Sequence, residues 1–136
     1  MGNTRNSRAS TAMQTFLTAK SPEVRASATE GLRFMPAPEA DRLLSERLLS
    51  DDAPQVRSAA VFAAGFRPLG PLLPAFERAL RSDPTAMVRM AVVQLLKVHA
   101  STSPKARLLL TWSSAEDEDA QIRGEAAKAL ESLPLP

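Results

Sequence analysis

One dipeptide recurs along this chain at nearly constant spacing, and that recurrence constrains the fold more than any other feature. An apolar residue followed by Arg stands at Val24-Arg25, Val56-Arg57, Val88-Arg89 and Ile122-Arg123, with separations of 32, 32 and 34 residues. The likeness extends past the pair. Four places after the apolar residue stand Ala28, Ala60, Val92 and Ala126, seven places after it Gly31, Ala63, Leu95 and Ala129, and eight places after it Leu32, Ala64, Leu96 and Leu130. Offsets of zero, four, seven and eight make one apolar stripe on a helix. A fixed period of this length marks a repeat architecture, in which each unit buries its apolar side only against its neighbours.

A second series lies between these helices. Phe16, Leu48, Leu80 and Trp112 are spaced by 32, as are Ala12, Leu44, Phe76 and Leu108, so each unit holds two helices. The extra two residues before Ile122 are assigned to the loop "SSAEDEDAQ". The spacing predicts helices over 8–19, 22–34, 38–50, 53–65, 72–81, 85–98, 104–114 and 119–132. Ser21-Pro22, Asp52-Ala53-Pro54 and Asp83-Pro84 supply a capping oxygen and a first-turn Pro, and Asp119 caps the last helix. Pro36, Pro38, Pro68, Pro71 and Pro104 fall between units, where the chain must break. With aromatic residues at 4% and no Tyr, the core is left to Leu, Val and Ala, which suits close helix packing.

These segments resemble the HEAT-repeat family, and within it the short bacterial repeats of phycobilisome-lyase-like proteins. The second helix of such a unit opens with an Asp shortly before Val-Arg and runs into small residues ending in Ala-Leu. "DDAPQVRSAAVFAAG", "DPTAMVRMAVVQLL" and "DEDAQIRGEAAKAL" carry that pattern here. The resemblance implies an all-α, right-handed α-solenoid of four helix pairs. Its units are about 8–35, 36–67, 68–100 and 101–133, behind a disordered tail of residues 1–7. It also implies a ladder in which Arg25, Arg57, Arg89 and Arg123 clamp acidic loop groups, namely Asp51, Asp83 and Asp117. Each of these Asp residues stands five places before an apolar-Arg pair. Ala19 takes that place in the first unit, so Arg25 is left to reach Asp51 or Asp52. Glu125 in the last unit and the polar first helix (Ser7, Ser10, Thr11, Gln14, Thr15, Thr18) read as caps of a complete four-unit array.

Candidates for chemistry are few. His99 is the one histidine and there is no Cys, so no metal site, disulfide or thiol nucleophile is expected. The five glycines form no phosphate loop, and no Ser sits in a nucleophile elbow. The acidic run Glu116 to Asp119 lacks the Gly and distal Glu of a calcium loop and reads as a solvated cap. Trp112, in register with Leu80, reads as core. Catalytic residues, cofactors and metals are therefore all expected to be absent.

The partner-binding expectation rests on the second helices. Offsets two and six are projected toward the concave face and read Ala26/Glu30, Ser58/Phe62, Met90/Gln94 and Gly124/Lys128. Phe62 and Met90 are expected to lie side by side as an apolar spot, flanked by Glu30, Gln94 and Lys128, with Arg33 and Lys97 also expected among the partner-binding residues. Offset nine gives Arg33, Gly65, Lys97 and Glu131, which is no phosphate-tracking stripe despite a net charge of +2, so nucleic acid is disfavoured. The leading expectation is a noncatalytic module or scaffold holding a protein or peptide on its concave face, as a monomer or weak homo-oligomer. The alternatives are an accessory or lyase-type subunit acting on a tetrapyrrole chromophore, which the resemblance implies, and a nucleic-acid-binding HEAT-like protein. No apolar run has membrane length and the N-terminus is not signal-like, so the expected location is cytoplasmic; a removed leader would make it periplasmic or secreted. The Ala, Arg, Leu and Pro bias is compatible with a GC-rich bacterium.

Overall fold

Ser21, Ser103 and Asp119 each accept a hydrogen bond from the first turn of the helix that follows them, and Pro22, Pro54 and Pro104 open their helices where no donor is missed. This punctuation divides the chain into eight helices among the residues that the computed structural model describes, 4–134, with side chains from residue 11 onward. They are α1 (Thr4–Leu17), α2 (Pro22–Gly31), α3 (Glu39–Ser50), α4 (Pro54–Ala64), α5 (Leu73–Ser82), α6 (Ala86–His99), α7 (Pro104–Glu116) and α8 (Ala120–Glu131). Short 3₁₀ turns at Leu32–Phe34 and Gly70–Leu72 extend the end of α2 and lead into α5. The chain forms an α-solenoid of four helix pairs.

Within a unit the two helices lie against each other, and between units α2 packs on α4, α4 on α6 and α6 on α8. The corresponding first-helix contacts, α3 on α5 and α5 on α7, are less extensive. The second helices thus take the shorter, inner side of the stack, because small residues such as Ala60, Ala63 and Ala64 let their backbones approach. One continuous core runs through the molecule, including Leu32, Leu44, Leu48, Phe76, Leu80, Val88, Val92, Leu96, Leu109, Leu110 and Ile122. Burial of such side chains contributes roughly 1.5–3 kcal/mol each.

Several expectations are corrected. Helix α1 begins at Thr4, four residues ahead of the expected start, and residues 1–3 of the expected tail lie outside the described residues. The side chains of Ser7 and Ser10 also lie outside them. Leu17, not Phe16, is buried on α1, because the path from the inward leucine to the next apolar-Arg pair is one residue shorter than from Leu48 to Val56. The two extra residues of the last unit precede α7 rather than follow it. Its buried Ala106, Leu109, Leu110 and Ser113 stand 34 residues after Leu72, Ala75, Phe76 and Ala79, which moves Leu108 out to solvent. Val24 is 39% exposed, whereas Val56, Val88 and Ile122 are buried, since α2 alone has no earlier second helix beside it. With Met13, Phe16, Ala28 and Gly31 it lines an open apolar trough of about 490 Å³, the reverse of the expected polar cap. Glu125 does not turn outward either, and lies 3.8 Å from Lys97 of the preceding unit.

Candidate functional site

The recurring Arg residues make a single pattern of contacts. Arg25 donates from Nε and Nη2 to both carboxylate oxygens of Asp51 at 3.0 and 3.1 Å, and reaches Asp52 at 2.9 Å. Arg57 holds Asp83 in the same way at 2.8 and 3.3 Å, and Arg89 holds Asp117 at 3.0 and 3.2 Å. Each clamp reaches forward, to the Asp of the next unit rather than to the Asp of its own. The remaining fork nitrogen, Nη1, donates backward to the carbonyl six residues earlier: Ala19, Asp51, Asp83 and Asp117 for Arg25, Arg57, Arg89 and Arg123. Only a carbonyl is needed there, so Ala19 serves as well as Asp.

The same Asp residues order their own loops. Asp51, Asp83 and Asp117 accept from the N–H two residues on, at Ala53, Thr85 and Asp119, each at 2.9 Å. This corrects the expected caps. The N-cap residues of α4 and α6 are Ala53 and Thr85, neither with a side-chain cap, because the nearby Asp carboxylates are turned toward the preceding unit's Arg. Asp52 likewise faces Arg25. Burial acts to raise the Asp51 carboxyl, but hydrogen bonds from Arg25 and the Ala53 N–H, with the charges of Arg25 and Arg47, outweigh it and hold Asp51 below the usual aspartate value. The hydrogen bond to Asp51 raises Arg25, and the one to Asp117 raises Arg89.

A different cluster stands at the C-terminal ends of α2 and α4. The guanidinium carbon of Arg33 lies 4.3 Å from the ring centre of Phe34, 5.4 Å from that of Phe66 and 5.8 Å from that of Phe62. Phe62 and Phe66 meet edge to face at 5.4 Å. The three rings are 78%, 64% and 52% exposed for Phe34, Phe66 and Phe62, so the cluster faces solvent. A single turn of helix separates Phe62 from Phe66, and the repeat period separates Phe34 from Phe66, which brings side chains from two units around one guanidinium.

A family model described as HEAT repeats matches residues 1–65. That span covers the first two helix pairs; the helix pairing continues through the other two, and the forward Arg clamp through the third. The first half of the chain is thus similar to HEAT repeats. No curated protein and no solved structure matches it. The match is to HEAT repeats as a class, and the phycobilisome-lyase-like subdivision stays an expectation of the sequence.

The expected Phe62–Met90 apolar spot does not form, because the two side chains part company. Met90 is half-buried and packs against the core, with Gln94 Nε2 at 3.8 Å from its sulfur, and Ser58 at the matching place has a buried hydroxyl. Offset two is half-buried at Ala26, Ser58 and Met90 and exposed only at Gly124, while offsets six and ten are open. Of the expected flanking residues, Arg33 joins Phe62. Glu30 is exposed and contributes its carbonyl, which accepts from Arg33 Nη1 at 2.9 Å. Lys97 is exposed beside Glu125, and Gln94 and Lys128 are exposed further along the face. Phe34 and Phe66 were missed, although both stand at offset ten and the period alone pairs them.

Trp112 is half-buried, with Arg81 4.8 Å over its ring, and His99 ends α6 half-buried. No group of three His, Asp or Glu side chains among the described residues is placed to hold a metal ion, and no described helix is long and apolar enough to cross a membrane.

Proposed function

We propose that this chain is a noncatalytic interaction module that holds a protein or peptide on the exposed face of its second helices, with Phe34, Phe62, Phe66 and Arg33 as the anchor. HEAT repeats commonly serve as protein-interaction scaffolds and are generally non-catalytic. The observation that carries the reading is the cluster itself. Three solvent-facing Phe rings on one guanidinium are costly to leave in water, and aromatic side chains with Arg dominate the residues that lose most binding energy when truncated. The Arg25, Arg57 and Arg89 clamps have a different role. Their carboxylates are taken up internally, so they set the stacking of units and leave the face to bind.

The test is affinity capture with mass spectrometry, comparing the full chain with its Phe62→Ser/Phe66→Ser double variant. Both side chains are more than half exposed, so the variant should keep its helicity by circular dichroism. A protein retained by the wild type and lost with the variant supports the reading. Identical retained sets from both proteins would remove the cluster as the binding surface.

A further inference from the structure

The exposed aromatic cluster is not a purely apolar surface, because its centre is a cation without a carboxylate partner among the described residues. A guanidinium offers five N–H donors. Arg33 spends one on the Glu30 carbonyl, and its planar face is held against Phe34, Phe66 and Phe62. The clamps elsewhere show what such a fork does when a carboxylate is within reach: Arg25, Arg57 and Arg89 each take both oxygens of an Asp. Arg67, on the same connection after α4, is likewise taken up by Asp41 at 2.8 Å. Stacking on the rings fixes the direction of the Arg33 fork, so less freedom is lost when an acceptor arrives.

The register adds the geometry of the occupant. Phe34, Phe66 and Val98 hold one position in three successive units, and Val98 is 73% exposed. Lys97 precedes Val98 as Arg33 precedes Phe34, so a basic-apolar pair recurs in the first and third units. Neighbouring packed helices lie about 8–10 Å apart. An extended polyproline-II chain advances about 9.3 Å every three residues and returns to the same side at that interval.

We propose that the ligand of this surface is an acidic, extended peptide segment of a partner protein, whose Asp or Glu carboxylate is taken by Arg33 and whose adjacent apolar side chains sit on Phe34, Phe62 and Phe66. This rests on the interaction reading above and adds the chemistry of the partner. The peptide crosses the second helices rather than running along one, and its apolar anchors recur at every third residue.

The experiment pans a displayed library of random twelve-residue peptides against the full chain. Enriched sequences are then made as labelled synthetic peptides and measured by fluorescence anisotropy. Enriched peptides are expected to carry Asp or Glu beside a large apolar residue, with a further apolar residue three places on. Arg33→Gln should weaken them roughly tenfold or more, as should Glu→Gln in the peptide, because a charge-assisted hydrogen-bonded pair is lost. Arg33→Glu should restore binding to a peptide whose Glu is replaced by Lys.

Peptides that bind without an acidic residue, lose binding in Phe62→Ser/Phe66→Ser and ignore Arg33→Gln overturn the acidic partner while leaving the interaction surface in place. Enriched peptides indifferent to the Phe substitutions, or no enrichment at all, overturn both. A dimer seen by light scattering that Phe66→Ser dissociates would make a second copy of the chain the occupant and overturn the proposal as well.

Discussion

Each clamping Arg ties together several loop groups, and Arg57 shows what a single such residue holds. It donates to both Asp83 oxygens, to the Asp51 carbonyl and to the Thr85 hydroxyl, with its own side chain 9% and that of Asp83 4% exposed. Removing one partner leaves the other charge buried and unpaired, so Asp83→Ala should lower unfolding stability by about 3–5 kcal/mol in urea melts. Arg57→Lys should recover little of the native stability, since one ammonium cannot span the carboxylate and the carbonyl behind it. The opposite sign is expected at Ser113. Its hydroxyl is buried without a hydrogen-bond partner, so Ser113→Ala should raise stability by about 1 kcal/mol in the same melts. The period of the sequence made the Arg and Asp residues legible as a set, but the direction of pairing was legible only at Arg25, where Ala19 leaves no local Asp; in the inner units both partners recur with the same period and a shift by one unit leaves the pattern unchanged. The backward carbonyl contact left no trace in residue type. At the aromatic cluster, Phe62 was legible as an apolar residue out of place, whereas Met90 was not placed correctly because a fraction of a helical turn separates seam from surface.

Helix ends and helix faces differ in how much local sequence decides them. Starts at Pro22, Pro54 and Pro104 follow from chemistry confined to a few residues, and the observed bounds fall close to those expected from it. The inward face of α1 and α7 depended instead on the lengths of connections, which a period averages away. Placing the two extra residues after α7 rather than before it turned Leu108 inward on paper and outward in fact. Gly124 in α8 offers a test at this scale. It lies exposed inside the helix, and an added Cβ there meets no other atom within 4 Å. Gly124→Ala should therefore stabilise α8 by roughly 0.5–1 kcal/mol through the lost flexibility of the unfolded chain, read as a rise in the thermal midpoint. Gly65 is the contrasting case. A Cβ there would sit 3.2 Å from the Phe62 carbonyl, beside the aromatic cluster, so the gain from rigidity is offset by the shift required.

Stability along the whole solenoid is a sum of units and of the interfaces between them, and the forward clamps place one charged contact at every interface. The first interface is open to acid, because Asp51 is joined to Arg25 across it and the first unit has no neighbour on its other side among the described residues. Asp51 titrates lower in the folded chain than in the unfolded one, so the unfolded state binds the proton more readily. Its contribution is therefore complete above the unfolded aspartate value of about 3.9 and is lost as pH falls through the lower, folded value. Asp51→Asn should weaken the chain at pH 7 and weaken it progressively less as the pH is taken below about 4, where the wild type has also lost the charge. Hydrogen exchange locates the effect. In acid, amides of α1 and α2 should lose protection before those of α5 to α8, because releasing the clamp frees one end of a one-dimensional stack while the interfaces beyond it remain closed. Uniform loss along the chain would instead mean that packing between units, carried by Ala60, Val61, Ala63 and Ala64, couples them so tightly that no single clamp sets the order of opening.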